Sequence, residues 1–310
     1  MNMKKILITG GAGFLGSSLA NKLLEKKGVF VVIADNLSTG TTGNISKLSK
    51  SRLEFVNCDA NDYQDISEVF SAHQFDYVFH YAAVVGVKRT LAHPLEVLKD
   101  VEGIQNVLSL AKNTGVKRVF YSSSSEVYGE PVVMPQNEKT TPLNARLPYA
   151  VVKNMGEVYF KAYKQEFGLD YTILRFFNTY GSHQSKDFVV SKFIELSLAG
   201  KDITVYDDGK QSRTFCYVDD NAEATYNALF ENKFVNDTVN IGSDSETSIL
   251  ELAELVIKLT KSKSKIIHLP PLKEGDMTRR QPDIAKMMTL VDRPLTSLEV
   301  GLKKTIKDFK

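Results

Sequence analysis

Only two cysteines, Cys58 and Cys216, occur in the 310 residues. That excludes a disulfide framework, and neither has a histidine or cysteine partner at metal-ligand spacing. No apolar run reaches the roughly 18 residues that a membrane-spanning helix needs. The start carries Lys4 and Lys5 but only Ile6, Leu7 and Ile8 before polar Thr9. This is too short for the apolar core of a signal peptide. Charge of one sign is missing as well: 39 Lys and Arg face 37 Asp and Glu, a net +2. That balance gives no whole-molecule field for nucleic acid or an anionic membrane, although it leaves room for a local basic pocket. Internal repeats and long linkers are absent. What is there is a 43% hydrophobic chain, ample for a packed core and long enough for about two domains. The expectation is a soluble, cytoplasmic α/β protein.

The first half alternates short apolar runs with helical patterns. Strands are expected at 5–9, 30–34, 53–58, 77–80, 118–122 and 171–176, and helices at 15–26, 66–72, 94–113 and 149–167. Leu15, Leu19, Leu23 and Leu24 share one helical face, and Gly28 is a stop signal. Such alternation implies parallel βαβ units, hence a Rossmann-type doubly wound parallel sheet. The second half is less regular. Helices are expected at 188–199, 219–230 and 249–260, a strand at 238–241, a turn at Asp207-Asp208-Gly209, and a solvated Lys/Ser stretch at 261–265. Pro270-Pro271 opens a turn-rich segment.

The spacing G-x-x-G-x-x-G falls on Gly10, Gly13 and Gly16, directly after the first strand and opening the first helix, with Phe14 and Leu15 inside it. Glycine permits a tight turn, close backbone approach to a pyrophosphate and close helix–sheet packing. The helix N-terminus then turns free N–H groups and a positive dipole end toward the anion. Asp35 ends the second strand 19 residues after Gly16. An acid there accepts hydrogen bonds from an adenosine ribose and repels a 2′-phosphate, so NAD is favoured over NADP. On position alone it also suits a strand-ending turn, because Asn36, Ser38, Thr39 and Gly40 follow. Asp59, with Ala60 after it, either meets the adenine or begins a turn.

Tyr149 and Lys153 stand four apart in a long helical pattern and share a face. Tyr206 and Lys210 repeat the spacing, but Asp-Asp-Gly between them makes a turn. A phenol has a pKa near 10, and moving it to about 7 takes roughly 4 kcal/mol of preferential phenolate stabilisation. A lysine cation beside it, together with an oxidised nicotinamide, supplies that. The tyrosine then takes a proton from a sugar hydroxyl as hydride leaves the same carbon. The run Ser122-Ser123-Ser124-Ser125-Glu126 follows a strand, where ligands bind in open α/β sheets. As an isolated run it reads as a flexible polar loop, and its place between this strand and the Tyr149/Lys153 helix turns the reading toward a ligand site. The five histidines are scattered, and His80 reads as a core residue. No metal site is expected.

These blocks, in order from residue 10 through Ala34–Gly40, Ser122–Gly129, Tyr149–Lys153, Arg175–Asn178 and Arg213–Asp220, resemble the extended short-chain dehydrogenase/reductase family. Within it they are similar to the NAD-dependent nucleotide-sugar epimerase/dehydratase branch. The resemblance runs to about residue 284. It implies Tyr149 as acid/base, with Lys153 orienting it and holding the nicotinamide ribose. It implies Ser124 on the reacting sugar oxygen, and Ser122, Tyr81, Ala82, Ala83 and Phe177 along the cofactor. Asn178, Arg213 and Arg280, with Arg279 as an alternative, become ligands of a UDP-sugar diphosphate, since arginine's fork suits phosphate oxygens. Taken singly, each arginine also suits a salt bridge.

Oxidation at C4 followed by hydride return on the other face needs only Ser124, Tyr149 and Lys153, so a UDP-hexose 4-epimerase is the first expectation. The branch's 4,6-dehydratases typically carry an Asp-Glu pair where Ser125-Glu126 stand here. Two carboxyl groups in different environments can divide acid and base work, and only Glu126 is present. UDP-glucuronate decarboxylases typically carry Ser-Glu, so Glu126 keeps that alternative open, either as a catalytic group or as a loop acceptor. Their acidic and glycine residues between Tyr and Lys are replaced here by Ala150, Val151 and Val152. A reading of another class, a non-catalytic NAD or sugar-nucleotide sensor, is opposed by the intact Ser/Tyr/Lys set. Departures from the family pattern are Asp100 for a structural Asn and Tyr81 for Leu, and there is no Gly-Trp around residues 287–294. The expected division is 1–178 with 216–242 for NAD, and 179–215 with 243–310 for the sugar nucleotide. The resemblance also implies a homodimer through the Tyr/Lys helix, where Val158, Tyr159, Ala162 and Tyr163 offer apolar surface or core.

Overall fold

A computed structural model describes residues 3–49, 51–130, 132–270 and 279–309, with only the backbone of Val87 and Lys88. Two compact units emerge, 1–127 with 145–175 and 222–239, and 128–144 with 176–221 and 240–310. The expected interleaving differs in detail. Residues 128–144 belong to the second unit, as do Phe177 and Asn178. The reason is local: the 128–144 segment bonds to second-unit residues, with Gln136 N donating to Gln281 O and Tyr128 Oη to Asn240 Oδ1.

The first unit runs β1 (Lys4–Thr9), α1 (Phe14–Leu24), β2 (Val29–Asp35), β3 (Leu53–Asn57), α2 (Tyr63–Ala72), β4 (Tyr77–His80), α3 (Val87–Ala92), α4 (Pro94–Thr114), β5 (Arg118–Ser124), α5 (Pro148–Phe167) and β6 (Asp170–Phe176). The chain continues through β7 (Thr179–Tyr180), α6 (Val189–Leu198), β8 (Ile203–Tyr206), β9 (Ser212–Thr214), β10 (Cys216–Tyr217), α7 (Val218–Phe230) and β11 (Asp237–Ile241). It ends with β12 (Glu246–Ser248), α8 (Ile249–Thr260), β13 (Ile266–Leu269), α9 (Ala285–Met288) and α10 (Leu298–Asp308).

Seven strands form one sheet in the order β11-β6-β5-β4-β1-β2-β3. The β1–β2, β1–β4, β2–β3 and β4–β5 pairs are parallel. The order reverses between β1 and β4, the switch point at which doubly wound sheets bind nucleotides. Ile6–Ile8 and Val31–Ile33 are fully buried, and all of β5 is buried, because helices cover both faces of such a sheet. Strands with no polar alternation therefore signal this architecture. The helices α4 and α5 each carry Pro in the first turn and a left-handed Gly C-cap, Gly115 and Gly168, the asymmetry expected of helix ends.

Most first-half elements lie within two or three residues of expectation. The first helix ends at Leu24 rather than 26, and the helix expected at 66–72 starts three residues earlier, where Asp62 caps it through Gln64 N and Asp65 N. Elements outside the expectation are short or set by partners: α3 has six residues, and β8 and β13 exist by pairing with each other. The turn after β8 contains Asp207 and Gly209 at positive φ, so Tyr206 and Lys210 share no helix. Most of the segment opened by Pro270-Pro271 lies outside the described residues.

Candidate active site

The glycine loop connects β1 to α1. Gly10 has φ +68, and a Cβ there would lie 2.6 Å from Ala82 N. A Cβ on Gly16 would lie 2.4 Å from Gly10 O, so the first turn of α1 rests directly on the loop backbone. The N-cap, Gly13, offers no side-chain hydrogen bond, and the first turn holds no acid. The N–H groups at this helix end have no side-chain cap and no carboxylate neighbour in the turn, which suits a pyrophosphate.

Asp35 is buried at the end of β2. Its carboxylate accepts from Ala12 N at 2.9 Å and Leu37 N at 2.8 Å, tying β2 to the glycine loop. A carboxylate has about four acceptor positions, so capacity for two ribose hydroxyls remains. Asn36 donates to Asp59 at 3.2 Å and accepts from Ser38 N at 3.0 Å. Asp59 also accepts from Asn61 N at 2.9 Å, so it begins a turn, with Ala60 buried behind it. Thr39 is exposed and Gly40 half-buried. Tyr81, Ala82 and Ala83 follow β4, where Ala82 N donates to Thr9 Oγ1 at 3.3 Å. The uncapped helix end, the glycine cradle and the spare acceptors of Asp35 fit a dinucleotide.

Tyr149, Lys153 and Ser122 come together where α5 packs on β5. Lys153 is 3% exposed, and its Nζ donates to Ser122 Oγ at 3.3 Å. It lies 5.6 Å from the Tyr149 ring centroid and 5.1 Å from that of Tyr121. Burial pulls the ammonium down to about 8, and the charge of Asp100 opposes that. The imidazole of His80 is buried and 2.8 Å from Thr9 Oγ1. Burial, then the charge of Lys153, lowers it to about 3, so it is neutral at ordinary pH. Ser124 ends β5, is buried, and accepts from Glu126 N at 3.2 Å. The side chain of Glu126 is half-buried.

The remaining candidates lie in the second unit. Phe177 is fully buried and its N–H donates to Ile241 O at 2.9 Å. Asn178 has φ 25, and its buried amide nitrogen has no hydrogen-bond acceptor among the described residues. Arg213 on β9 is half-buried and donates to Ser212 O at 2.8 Å, whereas Arg280 is buried. Arg279 is exposed, and its guanidinium Nε donates to both oxygens of Glu246 at 2.8 and 3.0 Å.

Two buried acids of the first unit have no role assigned from the sequence. Asp100 on α4 accepts from Val84 N at 2.8 Å and Asn61 Nδ2 at 3.3 Å. Glu157 on α5 is fully buried against Arg175. Glu157 stands one helical turn beyond Lys153, but that spacing does not by itself mark burial.

The sequence profile of the NAD dependent epimerase/dehydratase family matches residues 6–242. The chain is 37% identical to the UDP-N-acetyl-alpha-D-glucosaminuronate decarboxylase of Bacillus cytotoxicus, over 99% of this chain and 98% of that protein. It is 36% identical to a putative UDP-glucose 4-epimerase of Methanocaldococcus jannaschii, over 98% of each. Among solved structures, the Thermotoga maritima UDP-glucose 4-epimerase with UDP-glucose superposes with a TM-score of 0.91, at 34% identity and 98% coverage of both chains. The Thermus thermophilus UDP-glucose 4-epimerase in complex with NAD gives 0.90 at 29% identity, also with 98% coverage of both. The chain is an extended short-chain dehydrogenase/reductase and belongs to the NAD-dependent epimerase/dehydratase family.

Proposed function

We propose that the protein oxidises C4 of a UDP-sugar and returns the hydride to the opposite face, as a UDP-hexose 4-epimerase. The observation that carries the C4 oxidation is the buried Lys153 ammonium, 3.3 Å from Ser122 Oγ and 5.6 Å from the Tyr149 ring, and the absence of a second acid beside Glu126 in sequence favours epimerisation after it. Bound NAD supplies the hydride acceptor. Tyr149 takes the C4 hydroxyl proton as phenolate, and the Lys153 cation stabilises that phenolate in a site where little water screens it. Ser124 holds the same sugar oxygen. Glycine-loop amides and Asp35 hold the dinucleotide. Asn178 offers an amide donor to the diphosphate, and Arg213 and Arg280 offer guanidinium forks. Arg279 is assigned to Glu246 instead.

Glu126 has no paired acid beside it in sequence, which opposes dehydration. A second reading, decarboxylation of a UDP-uronate, is favoured by the half-buried Glu126 carboxyl two residues from Ser124. Oxidation at C4 of a uronate makes a β-keto acid, which loses CO₂ readily, so the same first step serves both outcomes. The B. cytotoxicus relative supports it. Protein with NAD, incubated with UDP-glucose, UDP-N-acetylglucosamine and UDP-glucuronate, separates the readings by NMR. A C4 epimer is expected, whereas a pentose product from glucuronate establishes decarboxylation.

The assembly we propose is a homodimer through α4 and α5. Leu95 is 75% and Val158 60% exposed, and Leu98, Val151 and Met155 on the same two helices are exposed as well. An apolar face of that kind marks an association surface.

A further inference from the structure

The last three residues of β5 each have a distinct engagement. Ser122 Oγ accepts from Lys153 Nζ at 3.3 Å. Ser123 Oγ donates to Glu157 Oε1 at 2.6 Å. Ser124 is the proposed sugar ligand. Lys153 and Glu157 are one helical turn apart, and Tyr149 is one turn earlier on the same face of α5. Two consecutive strand residues thus bond to two successive turns of the helix that carries the base.

Arg175 on β6 completes the arrangement. It donates from Nε to Glu157 Oε1 at 2.8 Å and from Nη2 to Oε2 at 2.6 Å, a two-pronged contact. Ser123, Glu157 and Arg175 are 2%, 0% and 2% exposed. Lys161, the other cation paired with Glu157 among the described residues, is half exposed and 4.0 Å away. A buried ion pair is a poor device for stability, because apolar residues of similar volume usually serve as well or better. Its advantage is direction: each hydrogen bond fixes an angle that apolar packing does not.

We propose that Ser123, Glu157 and Arg175 are positioning residues that fix the register of α5 against β5 and β6, and so set Tyr149 against Ser124. The proposal rests on the reading of Tyr149, Lys153 and Ser124 given above. A displacement of about 1 Å in such a site can cost on the order of a hundredfold in rate.

The test compares the double variant Glu157→Leu/Arg175→Met with wild-type protein, using UDP-glucose and UDP-glucuronate as probes. Removing both charges together avoids leaving one buried and unpaired. The expected result is a thermal midpoint within a few degrees of the wild type, since loss of the ion pair is offset by a buried Ser123 hydroxyl left without its acceptor, with unchanged NAD content, KM within about threefold, and kcat lower by about a hundredfold. Wild-type kcat in the double variant overturns the proposal. Ser123→Ala leaves the ion pair intact and decides the matter if the double variant does not fold. Losing its charge-assisted bond should lower kcat about tenfold with KM unchanged, and a wild-type kcat there also overturns it. Tyr149→Phe run alongside separates the two levels. If it stays active, the reading of the site fails; if it is inactive while the double variant is not, only the positioning role fails.

Discussion

Asp100→Asn removes one buried charge beside Lys153 while nearly preserving shape. The carbonyl oxygen of the introduced amide would still accept from Val84 N, and a flip of the Asn61 amide would restore the second bond. Lys153 stands at about 8 against an ordinary 10.5. At about 1.36 kcal/mol per tenfold, that is about 3 kcal/mol of preference for the neutral amine. Desolvation dominates, and the Asp100 carboxylate opposes it. The other groups facing Lys153 add no competing anion: the Ser122 hydroxyl, the Tyr121 and Tyr149 rings, and a neutral His80. A close opposite charge is worth about one to three decades, and Asp100 acts on Lys153 only through space, without a hydrogen bond, so the low end is the most it supplies. Taking the low end, the variant's lysine titrates near pH 7. The cation is the active form, so activity falls as pH rises through its pKa. At pH 8 about half of the wild-type lysines are charged, against about a tenth in the variant, giving a roughly fivefold lower kcat/KM. Near pH 6 both are charged and the ratio of variant to wild type returns to about one. Initial rates across this range provide the assay. A ratio independent of pH would refute the electrostatic argument and leave Asp100 a structural acceptor.

Three further outcomes are expected. Gly16→Ala, whose Cβ would meet Gly10 O at 2.4 Å, should lose bound dinucleotide while keeping its helical circular dichroism; full NAD content after purification would contradict the role of the glycine loop. Glu126→Gln should leave epimerisation of UDP-glucose within about threefold if the carboxyl only serves the loop. A loss on the order of a hundredfold, confined to uronate turnover, would make it a catalytic acid or base. Val158→Glu should shift sedimentation from dimer to monomer by burying a charge in the proposed interface, and an unchanged distribution would place any interface elsewhere.

The sheet was legible because its strands are buried on both faces and so read as unbroken apolar runs, such as Ile6–Ile8 and Val31–Ile33. The glycine loop and the Tyr149/Lys153 pair were legible because each is a local pattern on one element. Less local features were hidden. The pairing of β8 with β13 joins runs some sixty residues apart, and neither run is long enough to announce itself. Residues 128–144 follow β5 in sequence but bond to Gln281 and Asn240, so no composition shift marks their change of unit. Asp100 and Glu157 are charges within helices, positions that usually face solvent, and only packing shows that both are buried. Arg279 and Arg280, adjacent and chemically alike, part company through Glu246, which engages the first. Asp59, equally a turn or an adenine ligand by position, is engaged in the turn.

The proposed chemistry is hydride removal at C4 and its return to the same carbon. The most direct measurement follows deuterium in UDP-[4-²H]glucose and UDP-[4-²H]glucuronate through turnover in ordinary water. The product is expected to retain deuterium at C4, with a primary isotope effect on the single-turnover rate. Loss of the label to solvent would mean that C4 gives up a proton rather than a hydride, and would contradict the roles assigned to Tyr149, Lys153 and NAD together.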